Sequence, residues 1–221
     1  MSLEELGLVV VDRFVDPRNI KTGEKAADYT STFSGPIYTH TKESVGQRDI
    51  LVSLAKELTT KLVQEGKLKF DFIAANESGA MVPGWQLKTT LEKFSFREIP
   101  YVYIQKDGNI KGFMNNSLIR ENMKVLIFED AVNFGTTIIK GAELLRKRGY
   151  VVDTGACFVY YDHMIARENL ARARINLTYL FTLSQLLDIA EKNGRFNPIV
   201  IADSREFLAD PEKWQRDNGF R

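Results

Sequence analysis

The chain has one cysteine, Cys157, and two histidines, His40 and His163. A lone cysteine excludes an internal disulfide, and its place in the apolar run 151–160 gives it the character of a small core residue. Two histidines with no Cys or acidic cluster at ligand spacing argue against a zinc site. An excess of one charge is missing as well. Thirty Lys and Arg face 29 Asp and Glu, a formal net charge of +1, so no surface for nucleic acid is expected. No apolar stretch approaches the roughly 20 residues of a membrane-spanning helix, and no secretory leader pattern is seen. No membrane partner and a cytoplasmic location are the expectations. Repeats and low-complexity linkers are also lacking. What is present is ordinary for a globular protein, 44% hydrophobic and 27% charged residues. The length of 221 residues suits one domain, with a hood mainly over 1–43, a core over about 44–194 and a C-terminal tail over 195–221.

The densest chemistry lies in Val125-Leu-Ile-Phe-Glu-Asp-Ala-Val-Asn-Phe-Gly-Thr-Thr137. An apolar run, Val125 to Phe128, ends in two acids, Glu129 and Asp130. A loop with Gly135, Thr136 and Thr137 follows, and then a helical pattern with Ile138, Ala142 and Leu145 on one face. Arg146, Lys147 and Arg148 followed by Gly149 close it, as cations and Gly do at a helix C-terminus. Unpaired N–H groups at the helix start suit a phosphate. Two carboxylates just before the loop suit a sugar diol or a metal-bound sugar. Together they describe a phosphorylated ribose. The same strand–Asp–Gly-Thr–helix order also occurs where it does nothing but cap a helix.

The rest of the chain alternates. Leu8 to Val11 is a short apolar run, and 21–40 reads as loops or short surface strands. A helix is expected over 44–65, with Leu51, Leu54, Ala55, Leu58 and Leu62 inward and Gly66 at its end. A strand over 71–75, a turn over 76–80, a helix over 83–94, a strand over 100–104 and a loop over 105–116 follow. After the acidic strand and its helix come a strand over 151–160, a helix over 165–174 and a strand over 177–181. Thr182 to Gln185 is a capping box for a helix ending at Gly194, and 203–218 reads as a short helix broken near Pro211. Such alternation predicts an α/β fold, a parallel sheet with helices on both faces and its site at the carboxyl ends of the strands.

The acidic-pair segment resembles the 5-phosphoribosyl 1-pyrophosphate (PRPP) motif of type I phosphoribosyltransferases, matching at Glu129, Asp130, Gly135, Thr136 and Thr137. From roughly residue 30 to 190 the chain looks most like an orotate phosphoribosyltransferase. Asp71 to Pro83 resembles that family's strand and pyrophosphate turn, and Pro100 to Lys106 the strand into its mobile loop. Phe33 to Tyr38 resembles its hood segment, and Ile175 to Leu187 its last strand and helix. The resemblance implies a type I phosphoribosyltransferase fold, a central parallel sheet flanked by helices with a small N-terminal hood. It implies transfer of ribose 5-phosphate from PRPP to a nitrogenous base with release of pyrophosphate, in orotate-like pyrimidine nucleotide biosynthesis. Glu129 and Asp130 would hold the ribose hydroxyls. Ala131, Val132, Asn133, Phe134, Gly135, Thr136 and Thr137 would form the phosphate loop, and Asn76, Glu77, Ser78 and Gly79 would face the pyrophosphate. Lys106, Lys111 and Asp130 would be catalytic. Mg²⁺ would be held by the substrate's own oxygens and water rather than by protein ligands. A homodimer is also implied.

The chain departs from the pattern at named places. Asn133 and Phe134 stand where small or hydroxyl residues are usual. In the mobile loop Gln105, Asn109 and Lys111 replace the usual Arg, Lys and His, while Lys106 is kept. At the base, Phe33 and His163 replace two cations that serve an anionic base, so the base site is assigned to Phe33 and His163 and its ligand left open. A purine-type or other base, and a PRPP-binding regulator without catalysis, stay as alternatives. A dinucleotide-type fold would need a Gly-rich turn after the first strand, and the turn at Asn76 has one Gly.

Overall fold

The computed structural model describes residues 2–16, 27–28, 34–39, 47–112 and 119–220. Helix α1 (Leu3–Val11) opens the chain, and β1 (Phe14–Val15), β2 (Ala27–Asp28), β3 (Ser34–Gly35) and β4 (Tyr38–Thr39) form two small antiparallel pairs, β1 with β4 and β2 with β3. Next come α2 (Arg48–Gln64), β5 (Phe72–Asn76), α3 (Met81–Ser95), β6 (Tyr101–Ile104), β7 (Ile110–Lys111), β8 (Lys124–Val132) and α4 (Thr136–Lys147). The chain continues through β9 (Val151–Tyr160), α5 (Met164–Arg172), β10 (Asn176–Thr182), α6 (Leu183–Lys192), α7 (Pro198–Ala209) and α8 (Pro211–Asp217).

The main sheet has the order β10-β9-β8-β5-β6-β7, parallel except for the β6–β7 pair. Strand β5 is buried on both faces, as a central parallel strand must be. One apolar layer joins α1, α2, α3, α6, α7 and α8 to one face, and a second joins α4 and α5 to the other. From β5 the chain moves outward to β6 and then returns to the far side of β5 as β8. The crevice between the carboxyl ends of β5 and β8 is therefore a topological switch point, where such sheets bind ligands.

Several elements differ from expectation. Residues 3–11 are a helix, begun by a Ser2–Glu5 capping box, where the apolar run suggested only a short segment. The stretch expected as a loop over 105–116 contains β7, which folds back on β6 with Tyr103 opposite Lys111. Gly108, at φ +84, supplies the left-handed turn residue of that hairpin. Strand β8 runs on to Val132, so Glu129 and Asp130 lie within a paired strand rather than after it. The helical region expected over 203–218 begins earlier, at Pro198 capped by Asn197, and breaks at Asp210 before Pro211 as expected, giving α7 and α8. From the C-terminal segment, Val200, Ile201, Phe207 and Trp214 join the core layer.

Candidate active site

A cleft of about 270 Å³ opens at the switch point, lined by Glu77 to Gly79, Lys106, Glu129 to Ile138, and Tyr38, Thr39 and Tyr161. All the expected phosphate-loop and acidic residues thus converge, together with three of the four residues of the pyrophosphate turn. The fourth, Asn76, sits beneath them. Its Nδ2 donates to Glu129 Oε2 at 3.0 Å, joining the ends of β5 and β8.

Successive strand residues ordinarily face opposite sides, yet both carboxyl groups line the cleft and lie close enough for their side chains to hydrogen-bond. Glu129 is 7% exposed, and burial, then the neighbouring charge of Asp130, pushes its pKa well up. Asp130 lies against the turn: a Cβ at Gly79 would come within 2.7 Å of Asp130 Oδ2, so any side chain there would displace the carboxylate. Gly141 of α4 is as tight, since a Cβ there would lie 2.5 Å from Asn76 Oδ1. Gly135, with φ +79, turns the chain from β8 into α4 and leaves the first N–H groups of α4 without a side-chain cap. Those donors face a loop whose other members are cleft residues, an arrangement suited to phosphate. Glu77 Oε2 accepts from the Lys106 backbone N–H at 3.2 Å, which ties the turn after β5 to the β6–β7 hairpin.

Three cleft residues had no assigned role in the sequence. Tyr38 and Thr39 come from β4, and Tyr161 follows β9. Tyr161 Oη and Thr39 Oγ1 are 3.4 Å apart, linking residues 122 positions distant. Tyr38 shares the cleft with the acid pair, and burial, then the charges of Asp130 and Glu129, raises its pKa. The aromatic of the Phe33–Tyr38 segment was legible; its position in the cleft depends on long-range packing.

Of the two residues assigned to the base, Phe33 lies outside the described residues, as does the unassigned His40. His163 is 1% exposed and does not line the cleft. It is the N-cap of α5: its Nδ1 accepts from the Ala166 N–H at 3.2 Å, and its Nε2 lies 2.9 Å from Asn133 Oδ1. Its ring packs on Phe134 at 4.5 Å between centroids and edge-on to Phe207. Burial, then the Arg167 charge, lowers its pKa to about 4, so it is neutral and supplies no cation. Lys111, on β7 and exposed, also stands apart from the cleft lining, whereas Lys106 is part of it. Among the described residues lining the cleft, Lys106 is the only cation. No group of three or more His, Cys, Asp or Glu among the described residues is placed to hold a metal, and no described helix is long and apolar enough to cross a membrane.

The acid pair, the 131–137 loop and the 77–79 turn meet at the switch point, and the fold is that of the type I phosphoribosyltransferases. Within that class the chain resembles the orotate phosphoribosyltransferases. That of Bacteroides fragilis is 26% identical over 190 residues, which cover 85% of this chain and 86% of that protein. That of Porphyromonas gingivalis is 24% identical over 217 residues, 96% and 99% of the two. Among solved structures, the UMP synthase of Leishmania donovani superposes with a TM-score of 0.75 at 22% identity, over 94% of this chain and 42% of that longer one. The orotate phosphoribosyltransferase of Aeropyrum pernix gives 0.66 at 20% identity, over 87% and 98%. No family model matches the chain.

Proposed function

We propose that this protein is a phosphoribosyltransferase that moves ribose 5-phosphate from PRPP to a nitrogenous base and releases pyrophosphate. Orotate, the base in its relatives' names, is the first substrate to test, which would place the enzyme in pyrimidine nucleotide biosynthesis. The observation that carries the reading is the meeting of Glu129, Asp130, the 131–137 loop and the Glu77–Gly79 turn in one cleft. Asp130 accepts a ribose hydroxyl, and Glu129, held by Asn76, supports the second. The N-terminus of α4 with Thr136 and Thr137 holds the 5′-phosphate. Backbone amides of the turn and Lys106 receive the charge that builds on pyrophosphate as its bond to C1 loosens. The base nitrogen attacks the opposite face of C1, where the cationic character of the carbon is greatest. Positioning and fixed charge do most of this work, since little covalent chemistry falls to the protein.

Mg²⁺ belongs to the same reading. The acid pair offers hard oxygen donors, and the ion fits as one carried in by PRPP, neutralising charge on the diphosphate while keeping most of its water. A cytoplasmic homodimer is also part of the reading, with the dimer open to test by sedimentation.

One feature favours a second base class. Tyr38, Thr39 and Tyr161 bring hydroxyls and aromatic faces to the cleft, and His163 is withdrawn from it. An uncharged base suits those groups better than a carboxylate does. Calorimetric titration of PRPP with Mg²⁺ tests the shared step. Binding that weakens at least about 10-fold in Asp130→Asn is expected, since a hydrogen bond to a charged acceptor contributes about 1.5–3 kcal/mol. Unchanged affinity in Asp130→Asn combined with Glu129→Gln would remove the reading.

A further inference from the structure

Three departures from the family pattern, Asn133, Phe134 and His163, meet at one point. His163 packs on Phe134 and its Nε2 lies 2.9 Å from Asn133 Oδ1. Helix α5 adds a second grip, Asn169 Nδ2 donating to the Phe134 carbonyl at 3.0 Å.

The proton positions in this cluster follow from one donor. The Ala166 N–H points at His163 Nδ1, which must therefore carry a lone pair. In a neutral imidazole the proton is then on Nε2, and Nε2–H donates to the Asn133 amide. Only the amide oxygen can accept it, so the carbonyl end faces His163 and the NH₂ end faces away. The opposite rotamer would set two donors against each other. Asn133 Nδ2 is enclosed and has no acceptor among the described residues. Buried donors in native proteins are nearly always paired. Asn133 lines the cleft in the loop between β8 and α4.

Building on the phosphoribosyl reading, we infer that the Asn133 amide is a donor to the ribose 5-phosphate of the substrate, and that His163 is a positioning residue that holds the amide in its donating orientation. The residue at the former base position thus serves the phosphate end of the site. The phosphate supplies the missing acceptor, and Phe207 backs the imidazole so that it cannot swing away.

The test is titration calorimetry of ribose 5-phosphate and, separately, of pyrophosphate. Asn133→Asp keeps the acceptor for His163 but turns the donor into an anion facing the phosphate. It should weaken ribose 5-phosphate about 30-fold or more while pyrophosphate, bound at the Glu77–Gly79 turn, changes little. Asn133→Thr, which retains a hydroxyl donor, should lose less than about 5-fold. Asn133→Leu gives the same test as Asn133→Asp without an added charge. His163→Phe keeps the ring but not the Nε2–H; it should raise KM for PRPP about 5- to 10-fold with kcat nearly unchanged, and His163→Gln should recover part of that. In an Asn133→Thr background the effect of His163→Phe should vanish, whereas a purely structural role for His163 would give the same loss in both backgrounds. Ribose 5-phosphate affinity unmoved by Asn133→Asp and Asn133→Leu, or additivity in that cycle, would overturn the inference while leaving the phosphoribosyl reading in place. A native protein that binds neither ribose 5-phosphate nor pyrophosphate would overturn both.

Discussion

Asn76 and Glu129, 53 residues apart, meet through a 3.0 Å hydrogen bond beneath the cleft. The contact fixes the ends of two neighbouring strands, and it holds a carboxyl group whose pKa is raised by burial and by Asp130. A carboxyl raised on folding contributes stability below its unfolded pKa and loses it as pH rises through the folded value. Glu129→Gln keeps an acceptor for Asn76 without that loss. The variant should melt higher than the native protein at pH 7–8, by about 2–4 °C for each kcal/mol recovered, and the advantage should disappear near pH 4. Its affinity for PRPP should fall. Melting curves at the two pH values, with PRPP titrations, check both halves.

Gly79 and Asp130 form the second tight contact of the site. Gly79→Ala places a methyl carbon 2.7 Å from Asp130 Oδ2 unless one of them moves. The turn is at the rim, so the fold should survive with a small drop in melting temperature. Activity should fall by roughly 10- to 100-fold, as expected when reacting groups are displaced by about an ångström. Thermal melts together with steady-state rates distinguish this from general unfolding.

His163 gives the protein an acid-side weakness. Its folded pKa of about 4 lies below the ordinary histidine value. A depressed pKa contributes stability above the unfolded value and loses it as pH falls toward the folded one. Stability should therefore decline between roughly pH 6.5 and 4, by up to about 3 kcal/mol from this residue. Denaturant midpoints across that range should show the decline in the native protein and a shallower one in His163→Phe. Equal slopes would assign the acid sensitivity elsewhere.

Lys106 lines the cleft and Lys111 does not. Lys106→Ala should lower kcat about 10-fold or more by removing a cation from the departing pyrophosphate, with a smaller change in KM. Lys111→Ala should have the lesser effect. Steady-state kinetics of the two variants decide the order, and equal losses would mean that Lys111 reaches a site by another route.

The order of strands and helices from α2 to α6, β7 excepted, was legible because apolar periodicity and end signals are local. The phosphate loop was legible for the same reason: strand, acids, Gly135 and helix lie within 13 consecutive residues, 125–137. What escaped depends on distant contacts. Thr39 reaches the site through Tyr161, 122 residues on. The role of His163 was hidden because its place on the rim follows from strand order, while its direction is set by capping Ala166 and by Asn133. Helix α1 could have been found from Ser2 and Glu5, whose spacing is a capping box. The extent of α7 was obscured by the mixed sequence around Asn197 and Pro198, which caps and starts that helix.

The most direct test is pyrophosphate release from PRPP and Mg²⁺ in the presence of a panel of bases, orotate included. The account predicts base-dependent release with at least one of them, collapsing in Asp130→Asn combined with Glu129→Gln. Tight PRPP binding with no release for any base would contradict it and leave a binding protein in place of a transferase.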